Sequence, residues 1–227
     1  MAAAPHDREI TMNRTQSFAH ARRAALGALA AACAALLTLG AAPAHAQVKP
    51  AATTPVAKVG EEQRTKLNLY LTPRQAYDFV TKNKDKVLFL DVRTRAEPVF
   101  TGMATTVDAL VPYVEFPEMH ADWGWDETRA AYKYEPFNDF APEVERRLKE
   151  KGLTKNDPIV LMCRSGDRSS RAANLLADLG YTQVYSVVGG FEGPLNEKTG
   201  MRDLGGWRNA KLPWSYELDK KKMYFVR

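Results

Sequence analysis

The amino-acid sequence predicts an α/β domain with a mainly parallel central sheet flanked by helices on both faces. Three observations carry that reading. Short continuous apolar runs, Val87 to Leu90 and Ile159 to Met162, have the pattern of strands buried on both faces of a parallel sheet. Stretches with helical spacing lie between them, and this alternation implies right-handed crossovers that gather the strands' C-terminal ends on one side. Two of those ends carry Asp91 and Cys163, on the side where open α/β sheets bind ligands.

Leu67, Leu69 and Leu71 alternate with polar residues and predict the first strand; Thr72-Pro73 then supplies an N-cap and a first-turn proline for a helix over Gln75 to Val80. The run from Val87 predicts a strand ending at Asp91-Val92-Arg93, and Ala109 to Phe116 predicts an extended segment pairing beside it. An aromatic-rich stretch, about 117–138, holds His120, Trp123, Trp125, Tyr132, Tyr134 and Phe137. It reads as an insertion that packs its own small core over the sheet, with a lid or a partner-docking surface as the alternative. Asp139 to Lys151 has helical spacing at Phe140, Val144 and Leu148 and stops at Gly152. The Cys163-bearing strand leads into a helix over Ser169 to Leu179, ended by Gly180, and Val184 to Val188 is the last strand, stopped by Gly189-Gly190.

Ahead of this domain, Arg14, Arg22 and Arg23 precede an apolar run from Ala24 to Leu39 and then Ala44-His45-Ala46, the layout of a secretory signal peptide over residues 1–46. The run falls short of the roughly 20 apolar residues that span a bilayer comfortably. The expectation is export, to the periplasm, with no stable membrane insertion once the signal is removed. Residues 47–64 are Pro/Ala/Thr-rich and predict a flexible leader, 65–216 the domain, and 217–227 a basic tail in which Lys220-Lys221-Lys222 is a solvated run. Removing the signal takes away Cys33, His6, His20 and His45 and leaves one cysteine and one histidine. That excludes an internal disulfide and a Cys/His zinc set, so neither metal nor cofactor is expected. Four Arg against one Asp and one Glu lie before Gln47, so the net charge of +5 falls to about +3, too small an excess to argue for nucleic acid.

The chemistry concentrates in Cys163-Arg164-Ser165-Gly166-Asp167-Arg168-Ser169, where a buried strand delivers a thiol into a polar, glycine-containing loop directly before a helix. The free N–H groups and positive dipole end of that helix favour an anion, and with Arg164 and Arg168 they favour the thiolate of Cys163 over the thiol. The reading is a reactive cysteine facing an anionic substrate. A lone cysteine is more often a small buried core residue, and its context in this loop decides against that here. Asp91 and Arg93 read as structural support, since a strand-end Asp accepts local N–H bonds and fixes loops.

These residues resemble the rhodanese family of sulfurtransferases, specifically its single-domain exported members, over about Leu67 to Trp214. The resemblance rests on the Cys163 loop after a buried strand, Asp91-Val92-Arg93, the Gly189-Gly190-Phe191 turn, and the Gly206-Trp207 and Leu212-Pro213-Trp214 elements. The sequence departs from the family pattern at Phe100 to Thr105, and again where Glu192 to Gly205 are inserted before Trp207. The resemblance implies a single rhodanese-like domain. It also implies a two-step transfer, in which Cys163 takes the outer sulfur of thiosulfate or a persulfide and passes it from a Cys163 persulfide to a thiol or cyanide. Cys163 is then the nucleophile; Arg164, Ser165, Gly166, Asp167, Arg168 and Ser169 form the substrate cradle through backbone N–H groups and the two arginine charges. The partners are a small anionic sulfur donor and a thiol acceptor, which a protein could supply.

Two rivals have different signatures. Cysteine phosphatases and arsenate reductases also seat a thiolate at a helix N-terminus, but with five residues between Cys and Arg; four separate Cys163 from Arg168, a shorter loop that suits a sulfur atom better. A persulfide carrier or interaction module without turnover, serving a partner protein, would use the same thiol.

Overall fold

The structure is a computed structural model and describes residues 47–117 and 124–225. The expected signal peptide, His120 and Trp123 lie outside the described residues. In chain order the strands are β1 (Tyr70–Leu71), β2 (Leu88–Asp91), β3 (Met103–Ala104), β4 (Ala109–Leu110), β5 (Val114–Glu115), β6 (Trp125–Asp126), β7 (Ala131–Tyr132), β8 (Glu135–Pro136), β9 (Ile159–Met162), β10 (Val184–Val187) and β11 (Trp214–Ser215). The helices are α1 (Pro73–Lys82), α2 (Glu97–Thr101), α3 (Phe140–Glu150), α4 (Asp167–Asp178) and α5 (Gly206–Asn209). Among the described residues no helix is long and apolar enough to cross a membrane.

Five strands form a parallel sheet in the order β1-β10-β9-β2-β4, the mainly parallel sheet expected from the apolar runs. Side chains alternate across it, and both faces are covered. Val160 and Met162 of the central β9 pack on one face with Phe89, Tyr185, Phe79 of α1 and Trp207 of α5. Ile159, Leu161 and Cys163 point to the other, with Leu88, Leu90, Leu148 of α3 and Ala172 and Leu176 of α4. This double coverage is why the strands read as unbroken apolar runs: each residue, on either face, gains about 1.5–3 kcal/mol by full burial of a Leu, Ile, Val, Phe or Met side chain.

Local chemistry sets the element ends. Thr72 and Gln75 form a capping box, with Gln75 N–H donating to Thr72 Oγ1 at 3.2 Å and Thr72 N–H to Gln75 Oε1 at 2.8 Å, and Pro73 fills the first helical position. The first strand is shorter than its alternating leucines predict. Asn68 takes a left-handed backbone (φ 54°) in a turn closed by its N–H on Thr65 O, so pairing as β1 begins at Tyr70. The extended stretch after Ala109 also divides: β4 lies beside β2, while β5 leaves the sheet to pair antiparallel with β8.

Three segments differ from expectation. Residues 47–64, predicted as a flexible leader, are laid against the domain through two short 3-10 turns and the hydrogen bonds Thr54 N–H to Tyr70 O (2.9 Å) and Thr54 Oγ1 to Gln75 Oε1 (2.9 Å). The Thr54 N–H finds its partner on the domain, and the two turns close their own backbone bonds, a gain that composition does not display. The basic tail is likewise docked: Tyr224 OH donates to Asp139 Oδ2 at 2.5 Å, its ring meets Phe137 edge-on, and Lys222 Nζ donates to Thr105 O at 2.7 Å. In the aromatic insertion, β6 pairs with β7 and the rings meet in twos, Trp125 with Tyr132 at 5.5 Å and Phe116 with Tyr134 at 4.8 Å. No buried core forms in its described part, where Trp125 stays 46% and Tyr132 51% exposed, because a narrow two-stranded ribbon leaves one side open.

The end of β2 is fixed by a fully buried ion pair. Arg93 Nε and Nη2 donate to Asp91 Oδ1 and Oδ2 at 2.9 and 2.6 Å, Nη1 to Thr101 Oγ1 at 2.7 Å and Nη2 to Gly102 O at 2.8 Å, while the guanidinium lies 4.2 Å from the Phe191 ring centre. Good geometry and several hydrogen bonds are what make such burial tolerable. Arg93→Met leaves Asp91 buried and unmatched, and is expected to lower the unfolding free energy by about 3–5 kcal/mol. The urea midpoint reads this directly, and a midpoint within error of the parent would refute the assignment.

Candidate active site

Cys163 follows β9 on the face covered by α3 and α4 and is 1% exposed. The Gly166 N–H donates to its Sγ at 3.1 Å. Gly166 turns the chain with a left-handed backbone (φ 109°), and α4 starts at Asp167, two residues earlier than the sequence pattern predicts. The thiol therefore sits at the N-terminal end of a twelve-residue helix, whose first amides have no acceptor within the helix. A donor aimed at Sγ and a helix dipole both stabilise negative charge on that sulfur.

The loop is clamped from the neighbouring strand end. Phe191 N–H donates to Cys163 O at 2.8 Å and Glu192 N–H to Arg164 O at 2.9 Å, so the backbone after β10 runs along the Cys163 loop. Gly190 makes this approach possible. Its backbone is left-handed (φ 58°), and a Cβ there would fall 2.4 Å from Cys163 O and 2.7 Å from Ser165 N.

The expected cradle residues divide by role. Ser165 and Gly166 form the loop backbone, and the Gln63 amide from the leader donates to Ser165 O at 3.3 Å. Ser169 is turned inward, its hydroxyl donating to Gly166 O at 3.1 Å and lying 2.9 Å from Ser186 Oγ. Asp167 pairs with Arg171 at 3.2 Å and lies 3.9 Å from Arg129 of the insertion. Arg164 has a buried Nε without a protein acceptor. Arg168, expected to offer its charge to substrate oxygens, has Nη1 and Nη2 on the two Glu97 oxygens, both at 2.6 Å, with Tyr134 against its face. The guanidinium is thus already matched by a carboxylate: at this depth either charge alone would be costly, so the two are held as a pair. Burial alone would raise the Glu97 carboxyl, but the hydrogen bonds and charge of Arg168, with the Thr94 N–H and Arg93 adding, outweigh it and hold its pKa at about 2. Asp91 and Arg93 lie beneath the loop as a buried pair, and among the described residues no cluster of acidic, Cys and His side chains has metal-site geometry.

Gln63 and Glu97 were not singled out from sequence. Glu97 opens α2, and its Oε2 accepts from the Thr94 N–H at 2.9 Å and from the Thr94 hydroxyl at 3.0 Å. Nothing local announces its partner 71 residues away.

Two outcomes test this geometry. Gly190→Ala is expected to cost more than about 1 kcal/mol, from the left-handed backbone and the overlap with Cys163 O, and more than Gly180→Ala, where the backbone is left-handed but the space is open; equal urea midpoints for the two variants would refute the close approach. Because folding lowers the Glu97 pKa from 4.5 to about 2, the pair's contribution is complete above about pH 4.5 and is lost as pH falls toward 2, when the unfolded chain binds the proton first. Glu97→Gln is expected to be less stable at neutral pH and to lose that part of the acid dependence, read as urea midpoints between about pH 6 and 3.

Comparison with known proteins gives a consistent frame. The rhodanese-like domain family matches residues 72–197. An uncharacterized protein of Rickettsia rickettsii is 28% identical over 142 residues, which span 63% of this chain and 93% of that protein. Thiosulfate sulfurtransferase GlpE of Tolumonas auensis is 41% identical over 56 residues, 25% of this chain and 48% of that one. Among solved structures, the crystal structure of Rv0390 from M. tuberculosis covers 65% of this chain and 97% of its own at 28% identity, with a TM-score of 0.48. With the matched span running from the α1 cap through the nucleophile loop and past the Gly189-Gly190 turn, the chain belongs to the rhodanese-like domain family.

Proposed function

We propose that the protein is a sulfurtransferase that moves a sulfane sulfur from thiosulfate or a persulfide, through a Cys163 persulfide, to a thiol or cyanide. The observation that carries this is the Gly166 N–H on Cys163 Sγ at 3.1 Å at the N-terminus of α4. Membership of the rhodanese-like family and the likeness to proteins named thiosulfate sulfurtransferase support it.

In the first step the Cys163 thiolate attacks the outer sulfur of thiosulfate. The new S–S bond forms on Sγ, the bond to the sulfonate sulfur breaks, and sulfite leaves with its electron pair. Charge shifts from Sγ to the arriving sulfur, within reach of the same loop amides, so donors fixed before the reaction serve both states. In the second step an acceptor thiolate or cyanide attacks that sulfur, and Cys163 recovers its electron pair and its thiolate. The short loop, with four residues between Cys163 and Arg168, suits one added sulfur atom better than a phosphoryl group. Arg168 acts as a positioning residue that ties α4 to α2 through Glu97. The arginines ahead of the 24–39 apolar run and the Ala44-His45-Ala46 sequence support a protein that works after export, in the periplasm.

Intact mass after incubation with thiosulfate tests the cycle. The wild type is expected to gain one sulfur atom and lose it on adding cyanide or a thiol, and Cys163→Ser to gain none. Equal gain by Cys163→Ser, or hydrolysis of an aryl phosphate faster than sulfur transfer, would overturn the proposal.

A further inference from the structure

We infer that Arg202, carried by the insertion between the Gly189-Gly190 turn and α5, holds with Arg164 the sulfonate end of the sulfur donor and makes the site selective for donors that carry one. This rests on the reading of Cys163 as the sulfur-accepting nucleophile.

The insertion, Glu192 to Gly205, is a built loop. Asn196 N–H donates to Met201 O at 2.8 Å, Asn196 Nδ2 to Asp203 Oδ1 at 2.9 Å, and Thr199 Oγ1 to Asp203 Oδ2 at 3.2 Å, which closes the tip on itself. Asn209 of α5 ties the stems together, its Nδ2 donating to the carbonyls of Glu192, Arg202 and Gly205 at 3.0, 3.0 and 2.7 Å. Arg202 then turns back toward the nucleophile loop. Its Nη1 donates to Gly193 O at 2.7 Å, and the Gly193 N–H donates in turn to Arg164 O at 3.3 Å. A half-buried guanidinium is thereby anchored one peptide away from the residue that follows Cys163.

The charges around it are out of balance. Burial and then the neighbouring Arg164 guanidinium push the Arg202 pKa down, with Arg168 adding to this and Glu192 and Cys163 opposing it. Arg168 is matched by Glu97, whereas Arg164 keeps a buried Nε that no protein group accepts from. Two like charges, one anchored at Gly193 O and the other on the residue that follows Cys163, border the same loop, and an anion between them relieves their repulsion. A sulfonate fits this chemistry: guanidinium groups bind its oxygens through paired hydrogen bonds, and the departing sulfite carries two negative charges away from Sγ. A persulfide donor departs as a thiolate, which has no sulfonate oxygens to place there.

Steady-state kinetics with two donors, thiosulfate and the persulfide of 2-mercaptoethanol, and cyanide as acceptor test the inference. Arg202→Ala is expected to raise the thiosulfate KM by about tenfold with kcat changed less than about threefold, and to move the persulfide KM by less than about twofold. Arg202→Lys should recover part of the loss, since it restores charge without the fork. Lys198→Ala, which removes an exposed charge from the same insertion, should leave both KM values unchanged. A thiosulfate KM for Arg202→Ala within about twofold of wild type, or equal losses with both donors, would overturn the role of Arg202 while leaving the sulfurtransferase reading in place. A wild type that forms no persulfide from either donor would overturn that reading, and this inference with it.

Discussion

The ends of β9 and β10 meet at backbone distance, and residue 190 must lack a side chain for them to do so. From that contact the site follows in order. The carbonyls of Cys163 and Arg164 are engaged by Phe191 and Glu192, so the loop cannot relax away from the strand end. The Gly166 amide of that loop is left to donate to the thiol. The same turn delivers the chain into the insertion and then into α5, where Trp207 is completely buried against Phe89 with its indole N–H on Pro213 O. A parallel sheet thus supplies both Cys163 and the clamp that shapes its loop, from adjacent strands and at their C-terminal ends.

Charge placement forms the second layer. Asp91 with Arg93 and Glu97 with Arg168 are buried pairs that fasten β2, α2 and α4 to one another beneath and beside the loop. Such pairs add little net stability compared with apolar packing, but each is expensive to break, so they fix geometry. They also neutralise the guanidinium that the sequence places nearest the loop's C-terminal end. Positive charge at the mouth falls instead to Arg164 and, across the Gly193 peptide, to Arg202. The site therefore separates Arg93 and Arg168, each matched by a buried carboxylate, from Arg164 and Arg202, whose charges have no such partner among the described ion pairs.

The family match ends at residue 197, within the insertion, yet the domain continues well beyond it. Residues from the closing segment complete one face of the core through Trp207 and Leu212, and Trp214 pairs as β11 with β3. Leader and tail are also docked, the former on the loop through Gln63 and the latter on α3 and the insertion through Tyr224. Segments that look like appendages by composition are thus held by specific polar contacts.

Apolar runs of four residues, helical spacing and a glycine-containing loop after a strand were enough to determine the parallel α/β sheet, the covered faces and the place of Cys163, because each depends on residues close in sequence. The Thr72 cap was legible for the same reason, while the shortening of β1 turned on the left-handed backbone of a single asparagine. The pairing of Arg168 with Glu97, the packing of Gln63 over Ser165 and the return of Arg202 toward the loop were decided by tertiary structure. Those contacts join residues 71 and 102 positions apart, or sit on a polar insertion without periodicity. A charged side chain's sequence neighbours do not disclose which opposite charge will be buried with it; that is settled where helices and strand ends converge, and there the cost of an unmatched charge selects the partner.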